Sequence, residues 1–351
     1  MDLGTPLRVG IAGYGLAGRF FHAPLVAATP GARVAAVVTR DPVRAEQARA
    51  DHPGVAVHAS VPDALAGGLD LLVVATTNDT HVPLARAAVE AGVAVVVDKP
   101  LAPDAASAAA LVAQAEDAGV ILTVFHNRRW DCDQLTLRRL MGSGELGEVL
   151  RYESRFERWR PQLDTGKWRE VRPAAAGGGL LLDLGTHLVD QAVTLFGPVA
   201  AVYAEIDQRR GGADDDVFVA LTHASGVRAH LWAGALAGSP GPRLRVLGTA
   251  GAFVVPELDS QEEALRAGRR PDDGADWGVE PAGRCGWLVR GEESVPVPSE
   301  RGRWDTFYLG VVAALREGAP VPVPARDAVT VLELLEAARA SAAGGTVVRV
   351  G

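Results

Sequence analysis

The sequence predicts an α/β domain followed by an α+β domain with a large open, mainly antiparallel sheet. In the first 126 residues, short and nearly continuous apolar runs alternate with helical patterns. This alternation is typical of parallel strands that helices cover on both faces. After about residue 145, apolar residues instead alternate one by one with polar residues, which indicates antiparallel strands with one face on a core. We therefore predict two domains, residues 1–126 and 127–351.

Five apolar runs of the first domain have the length of strands, and the segments between them have the pattern of helices. The predicted strands are Leu7–Ala12, Val34–Val38, Leu69–Ala75, Val93–Val97 and Val120–Phe125. The predicted helices are Leu16–Ala27, Pro42–Ala50, His81–Ala91 and Ala105–Ala118. Strands and helices in this order predict a doubly wound sheet.

The second domain shows its strands by alternation, as in Leu150, Tyr152, Ser154 and Phe156 with charged residues between them. Residues 224–226 (Ala-Ser-Gly) indicate a hairpin turn. Asp214, Asp215 and Asp216 are interpreted as a solvated loop, and residues 259–284 as a long loop. A last helix at about 326–342 could pack back on the first domain, and a short final strand is expected at 346–350.

Composition excludes some classes of protein. The chain of 351 residues has a formal net charge of -8, which disfavours nucleic acid or an anionic membrane as the partner. Cys132 and Cys285 are the only cysteines, too few for a disulfide framework, so we expect the reducing cytoplasm. Residues 1–7 lack the pattern of a signal peptide, and we expect none.

A glycine motif joins the first strand to the first helix. Its residues are Gly13, Tyr14, Gly15, Leu16, Ala17 and Gly18. In this context G-x-G-x-x-G predicts a Rossmann turn: the first glycine permits a tight turn, the second lets a pyrophosphate approach, and the third lets the helix pack closely. A glycine-rich turn without a ligand is the alternative. The surrounding strands and helices favour a bound dinucleotide.

The end of the second strand predicts which dinucleotide binds. An NAD site has Asp or Glu about 20 residues after the glycines, to accept from the ribose 2′-OH, whereas this chain has Thr39 followed by Arg40. Threonine brings no negative charge, and arginine can bind a 2′-phosphate. We therefore predict NADP rather than NAD. In the alternative, Arg40 faces solvent and Asp41 binds the ribose.

Two further segments carry candidate catalytic residues. Lys99 follows the predicted strand Val93–Val97, at the end where ligands bind in parallel sheets, although an exposed lysine at a loop entrance is the commoner case. Residues 177–190 read GGGLLLDLGTHLVD. A helix would put Asp183 and His187 on one face, as suits proton exchange with a hydroxyl. A buried structural pair is one alternative and a metal site another, but no third ligand has recognisable spacing, so we expect no metal.

Together these motifs resemble the Gfo/Idh/MocA oxidoreductases, a family that pairs a glycine-motif Rossmann domain with E-K-P and G-G-G-x-x-x-D-x-G-x-H-x-x-D motifs. The resemblance covers essentially the whole chain, with Asp98 in place of the family's usual glutamate. Residues 15–24, 125–131 and 263–269 are similar to those of one branch, the bacterial NADP-dependent scyllo-inositol 2-dehydrogenases.

The resemblance implies roles for individual residues. His187 would act as general base, Lys99 would bind the reacting oxygen, and Asp183 would help to orient the base, in a cleft at the edge of the Rossmann sheet. Further candidates to bind the cofactor are Thr76, Thr77, Asn78, His81, Asp98 and Asn127. Further candidates to bind substrate are Asn127, Trp168, Arg169 and Asp190. Trp168 could instead serve packing alone, and Asp190 could belong to a structural network.

The resulting hypothesis is an NADP-dependent dehydrogenase that acts on a cyclic polyol or sugar, with scyllo-inositol as the leading substrate. Elimination or glycoside cleavage assisted by NAD is a second possibility, and release of reduced cofactor would distinguish the two. A regulator that has lost catalysis is a third, which the complete set of motifs disfavours. We expect a homo-oligomer, a dimer or a tetramer, with the open sheet face as the interface.

Overall fold

The computed structural model of the chain describes residues 5–351. The expectation that residues 1–7 form no signal peptide therefore falls partly outside the described residues. The chain forms two compact units. The first contains residues up to 127 together with 261–277 and 303–329, and the second contains 128–260, 278–302 and 330–351. Among residues 5–351, no helix is long and apolar enough to cross a membrane.

The first unit contains a parallel sheet in the order β3-β2-β1-β4-β5-β6, which confirms the predicted α/β class. Its strands are β1 Leu7–Ala12, β2 Ala32–Val38, β3 Ala56–His58, β4 Leu71–Val74, β5 Ala94–Val97 and β6 Leu122–Val124. The central strands β4 and β5 are buried along their whole length. This explains why their sequences are continuously apolar.

Helices connect these strands. They are α1 (Gly18–His22, continued by Ala23–Ala27), α2 Pro42–Asp51, α3 Val61–Ala66, α4 His81–Glu90 and α5 Ala105–Asp117. The first turn of α1 is wide, since the Ala23 N–H bonds to the Gly18 carbonyl five residues back. The sequence analysis did not predict β3 or α3, because β3 has only three residues and none of them is buried.

The second unit contains a mixed sheet in which, among the described residues, nine strands follow the order β14-β13-β12-β11-β7-β10-β9-β8-β15. The strands are β7 Val149–Glu157, β8 Val199–Asp207, β9 Asp216–His223, β10 Arg228–Gly234, β11 Leu244–Gly248, β12 Ala252–Val255, β13 Gly286–Arg290, β14 Glu293–Val297 and β15 Val348–Arg349. Within residues 5–351, only β7 and β10 of this sheet pair in parallel. The prediction of a large, mainly antiparallel sheet is therefore confirmed.

The remaining helices are α6 Cys132–Gly142, α7 Trp168–Val171, α8 Thr186–Phe196 with a preceding wide turn Leu181–Gly185, α9 Gln261–Arg266, α10 Asp305–Glu317 and α11 Ala325–Gly344. The segment 259–284, predicted as a loop, thus contains the helix α9, which belongs to the first unit. Helix α11 begins in the first unit and continues in the second.

The interpretation of Asp214–Asp216 as a solvated loop was wrong for Asp214 and Asp215, whereas Asp216 is exposed and begins β9. Asp214 and Asp215 are 5% and 1% exposed. Asp214 accepts a hydrogen bond from the Leu181 N–H at 2.7 Å and pairs with Arg339. Asp215 pairs with Arg210 at 2.8 Å. Buried carboxylates require such partners, and the partners are too distant in sequence for the run itself to reveal them.

Candidate active site

The glycine motif of the first unit has the geometry of a dinucleotide-binding turn. Gly13 has φ +92°, a conformation that favours glycine. A Cβ on Gly18 would lie 1.9 Å from the Gly13 carbonyl oxygen, so only glycine allows the helix to start so close to the strand. A Cβ on Gly15 would meet nothing nearer than the Arg44 guanidinium at 3.8 Å. The turn is thus tightly packed inside and open at Gly15, which fits the approach of a pyrophosphate.

The end of β2 presents positive charge near this turn. The Asp41 carboxylate accepts from the N–H groups of Val43 and Arg44 at 2.9 and 3.3 Å, as the N-cap of α2. Arg40 is exposed, and Arg44, one helical turn further on, extends its guanidinium toward Gly15. The carboxylate that could have bound a ribose hydroxyl is therefore engaged in capping the helix. The sequence analysis did not single out Arg44, although its spacing of four from Arg40 would have been a signal.

The loop after β4 is braced from within. The hydroxyls of Thr76 and Thr80 lie 2.6 Å apart, and Thr80 donates to the Thr77 carbonyl at 2.7 Å. The His81 ring is fully buried and faces the carbonyls of Pro100 and Thr76 at 2.7 and 3.3 Å. His81 therefore connects the loop after β4 with the loop after β5, which carries Lys99.

Lys99 is half-buried, and the residue before it belongs to a buried polar chain. Asp98 accepts the Lys99 N–H at 2.9 Å, and its carboxylate lies 3.7 Å from His22 Nε2. His22 Nδ1 in turn contacts the Tyr308 hydroxyl at 2.6 Å. Burial alone would raise the pKa of Asp98, but His22 and Lys99 hold that pKa below its ordinary value. Asp98 is therefore a carboxylate, fixed on one side by the Lys99 backbone and on the other by His22.

In the second unit, Asp183 and His187 lie on one continuous helix, formed by the wide turn Leu181–Gly185 and α8. The start of this helix is fixed by Asp214, which accepts from the N–H of Leu181. Gly179 has φ +98°, and a Cβ there would lie 2.1 Å from the Asp214 carboxylate. The third glycine of the GGG run is thus required by the carboxylate that caps the helix of Asp183 and His187.

Asp183 and His187 differ in exposure. The Asp183 side chain is 25% exposed and lies 3.5 Å from Arg169 Nε. The Arg169 guanidinium stacks on the Trp168 ring at 4.5 Å, and the Arg169 carbonyl accepts from the Gly179 N–H at 2.9 Å. His187 is 6% exposed, with its ring 6.2 Å from that of Phe156. The segment of Trp168 and Arg169 therefore lies against the beginning of the helix that carries Asp183.

Asp190 forms a buried ion pair. Both of its carboxylate oxygens accept from Arg129, with distances of 2.6, 2.9 and 3.2 Å, and the two side chains are 2% and 10% exposed. This geometry favours the structural network over direct binding of a substrate hydroxyl. Arg129 was part of a motif used for the resemblance, but its partner lies 61 residues away, so the sequence did not reveal the pair.

A group of three possible metal ligands that the motifs did not indicate lies elsewhere in the second unit. Ligand atoms of Cys132, Asp259 and Glu280 lie within 4.8 Å of one another. Asp259 accepts the Cys132 N–H at 2.7 Å, and Glu280 accepts from the N–H and hydroxyl of Ser260. The carboxylates therefore serve as backbone acceptors.

The structure thus groups the predicted residues in two sets. The first unit holds the glycine motif, Thr39, Arg40, the loop from Thr76 to His81, Asp98, Lys99 and, at its end, the buried Asn127. The second unit holds Trp168, Arg169, Asp183, His187 and Asp190. Sequence reasoning missed Arg44, His22, Tyr308 and Arg129 as members of these sets.

A parallel sheet with a glycine turn of this geometry at its first crossover is typical of a dinucleotide-binding domain. Residues 7–126 match the family model described as an oxidoreductase family with an NAD-binding Rossmann fold, and residues 134–254 match that of the GFO/IDH/MocA C-terminal domain. The chain belongs to the Gfo/Idh/MocA oxidoreductase family, as its motifs predicted.

Relatives cover nearly the whole chain. It is 42% identical to the uncharacterized oxidoreductase YdgJ of Escherichia coli strain K12, over 94% of each chain. It is 35% identical to the NADP-dependent scyllo-inositol 2-dehydrogenase IolW of Bacillus subtilis strain 168, over 95% of this chain and 93% of that one. The solved structure of yvaA from Bacillus subtilis superposes with a TM-score of 0.91 at 32% identity, covering 99% of this chain and all of that one.

Proposed function

We propose that this protein is an NADP-dependent dehydrogenase that interconverts a secondary hydroxyl and a ketone on a cyclic polyol or sugar, with scyllo-inositol and its inosose as the leading pair. The likeness to IolW over nearly the whole chain supports the substrate class. The complete set of Lys99, Asp183 and His187 supports the reaction type, since a dehydrogenase needs a proton acceptor and a donor to the reacting oxygen.

The observation that carries the cofactor part of the proposal is the arrangement at the end of β2. The Asp41 carboxylate caps α2, while the guanidinium groups of Arg40 and Arg44 supply positive charge beside Thr39. A 2′-phosphate carries negative charge and favours arginine donors. The backbone from Gly13 to Gly18 would hold the pyrophosphate, and when bound, the nicotinamide supplies the acceptor or donor of the two electrons.

Each catalytic residue has one task in this proposal. In the oxidative direction His187 accepts the proton of the substrate hydroxyl, and in the reductive direction it returns that proton. Lys99 donates a hydrogen bond to the reacting oxygen and stabilises its developing negative charge. Asp183 accepts a hydrogen bond that orients the base or a neighbouring hydroxyl. Arg169, whose Nε lies 3.5 Å from the Asp183 carboxylate, pairs with that carboxylate and holds it in place.

Two buried contacts position Lys99. The Asp98 carboxylate binds the Lys99 N–H and is itself held by His22, while His81 binds the carbonyl of Pro100. Glutamate is the family's usual residue at this place, and the shorter Asp98 is matched by a histidine that approaches it from α1. We propose His22 and His81 as positioning residues rather than groups that touch substrate.

The remaining predicted residues have supporting roles in the proposal. Thr76, Thr77 and Asn78 form the loop after β4 that would face the cofactor, and Asn127 would contact the nicotinamide or the substrate. Trp168 and Arg169 would bind the substrate's outer hydroxyls. Asp190 would act through Arg129, whose guanidinium it holds.

The test follows reduced nicotinamide by absorbance while the protein is incubated with NADP or NAD and a panel of scyllo-inositol, myo-inositol and glucose. We expect NADP reduction with scyllo-inositol, lost by at least about a hundredfold in Lys99→Ala, as is typical for removal of a donor to a developing oxyanion. Arg326→Ala is a matched control, since Arg326 pairs on the surface with Glu116 of α5. Turnover without release of reduced cofactor would contradict the dehydrogenase assignment.

We further propose that the protein acts in the cytoplasm as a homo-oligomer whose interface is the outer face of the nine-stranded sheet. This face carries half-buried Phe218, His230 and Trp232, with the Arg155 guanidinium 3.8 Å from the Trp232 ring, and Trp287 is 41% exposed. Aromatic residues and arginine are enriched in interfaces. Light scattering should give a dimer or tetramer that Trp232→Glu dissociates, and a monomeric native protein at micromolar concentration would refute this.

A further inference from the structure

A cavity of about 120 Å³ lies in the first unit beside the glycine motif, and Tyr14 of that motif lines it. Its charged and polar walls come from α1, the end of α2 and the segment after α9. They are Tyr14, Arg19, Asp51, His52, Arg269 and Arg270. Since a water molecule occupies about 30 Å³ in the liquid, this volume corresponds to about four waters, enough for one small polyatomic ion.

The negative charge in the wall is already balanced. The Asp51 carboxylate accepts from Arg19 Nε at 2.7 Å and from the Tyr14 hydroxyl at 3.0 Å. Burial, followed by the nearby Asp51, raises the pKa of Tyr14, so its hydroxyl remains a donor. Asp51 therefore neutralises Arg19 and leaves no charge for the other arginines.

Arg270 lines the same cavity without a carboxylate of its own. Within residues 5–351 its guanidinium has neither an ion pair nor a side-chain hydrogen bond; only its backbone N–H is engaged, with Asp273. Its neighbour Arg269 pairs with Asp276 at 2.9 Å. Arg270 is half-buried, and a partly desolvated cation without a counter-charge is unfavourable.

His52 completes the wall as a neutral donor or acceptor. Burial lowers the pKa of His52, and the charge of Arg270 lowers it further. The ring meets the Tyr14 ring edge-on, with centroids 6.3 Å apart. The cavity thus combines one uncompensated guanidinium, an imidazole that can donate, and the remaining N–H groups of Arg19, in a volume of ionic size.

We infer that this cavity binds a small anion bearing a phosphate or carboxylate group, held by the guanidinium of Arg270 with Arg19 and His52 as further donors. This site is separate from the recognition of the dinucleotide, because Tyr14 and Arg19 point their side chains to Asp51, whereas the proposed cofactor contacts are backbone groups of the turn and the arginines of β2 and α2. Tyr14 and Arg19 each adjoin a glycine of the motif, so a bound anion would stabilise the turn that receives the cofactor.

Calorimetry on the full chain tests this inference. NADP or NAD, whichever binds more tightly, is present at saturating concentration, so that the sites for the dinucleotide's own phosphates are already occupied. Inorganic phosphate is titrated in one arm and malonate in the other, at constant ionic strength. We expect binding of at least one of them with a millimolar or lower dissociation constant, weakened at least about tenfold in Arg270→Gln because a charge-assisted pair is lost. Phosphate alone would identify a phosphate site, and malonate alone a carboxylate site.

Arg266→Gln and Arg44→Gln are the matched controls. Arg266 lies on α9 and pairs with Glu262 outside the cavity, and Arg44 belongs to the proposed cofactor contacts. Both variants should bind the anion as the native protein does. Without anion, Arg270→Gln should unfold at the same or a higher temperature, since it removes an unbalanced charge. Absence of binding by the native protein up to about 20 mM of either anion, or equal binding by Arg270→Gln, would overturn the inference.

Discussion

Replacing Arg40 and Arg44 by glutamine should change the preference between the two dinucleotides. The 2′-phosphate of NADP carries between about 1.5 and 2 negative charges at neutral pH. The Arg44 side chain is 49% exposed and only loosely paired with Asp41 at 3.4 Å, so its interaction with a phosphate is screened by water. We assign each guanidinium about 1 kcal/mol, below the usual range for a hydrogen bond to a charged group.

At about 1.4 kcal/mol per factor of ten, each single substitution should weaken NADP binding about fivefold, and the double substitution about 25-fold. NAD lacks the 2′-phosphate, so its dissociation constant should change by less than about twofold. Calorimetric titration of both dinucleotides measures these values. Arg49→Gln, an exposed change at the other end of α2, is the control and should leave both constants unchanged.

Two results would refute this reasoning. An equal loss of affinity for NAD and NADP would show that Arg44 binds the pyrophosphate, toward which its position near Gly15 also points. Tighter binding of NAD than of NADP by the native protein would show that Thr39 and Arg40 do not determine the preference at all.

Three further predictions concern stability and cofactor binding. Asp190→Asn should destabilise the fold by about 3–5 kcal/mol because it removes the carboxylate charge that balances the buried Arg129; a loss below about 1 kcal/mol in chemical unfolding would contradict this. Gly18→Ala should abolish dinucleotide binding, since its Cβ would lie 1.9 Å from the Gly13 carbonyl; unchanged calorimetric affinity would exclude that packing. Burial lowers the pKa of His223, so the folded state binds fewer protons than the unfolded state, and stability should fall as pH drops below about 6.5. The melting temperature of His223→Asn should therefore decline less between about pH 7.5 and 5.5 than that of the native protein. Equal declines in the melting temperatures of the two proteins would contradict this prediction.

The sequence predicted the parts of the fold whose burial is uniform. The strands of the first sheet are apolar along their length because helices cover both faces, and β1 was predicted to the residue. The strand β3 and helix α3 were missed because they are short, and the three residues of β3 are all at least partly exposed. The parallel pairing of β7 with β10 could not be read either, since alternation reveals a strand but not its neighbour.

In the candidate site, too, local patterns could be read from the sequence and distant partners could not. Residues whose proposed role depends on a local motif, such as Gly13 and Lys99, could be proposed from spacing alone. Roles that depend on a distant partner could not, because the sequence alone presents Asp214 as a surface acid. Its partners, Arg339 and the Leu181 N–H, are far away in the sequence. Buried charges are therefore where reasoning from sequence fails first.

The wide turn Leu181–Gly185 sets the rotation of Asp183 about the helix axis relative to His187. A turn of this kind contains one residue more than a regular helical turn needs. Deleting one residue between Asp183 and His187 would remove the extra residue and leave a regular helix in which the two are three apart and still share a face. Deleting two residues would instead place them about 200° apart around the helix axis, on different sides. In an alignment of homologues, a one-residue gap at this position is therefore compatible with the proposed pair, whereas a two-residue gap would indicate its loss.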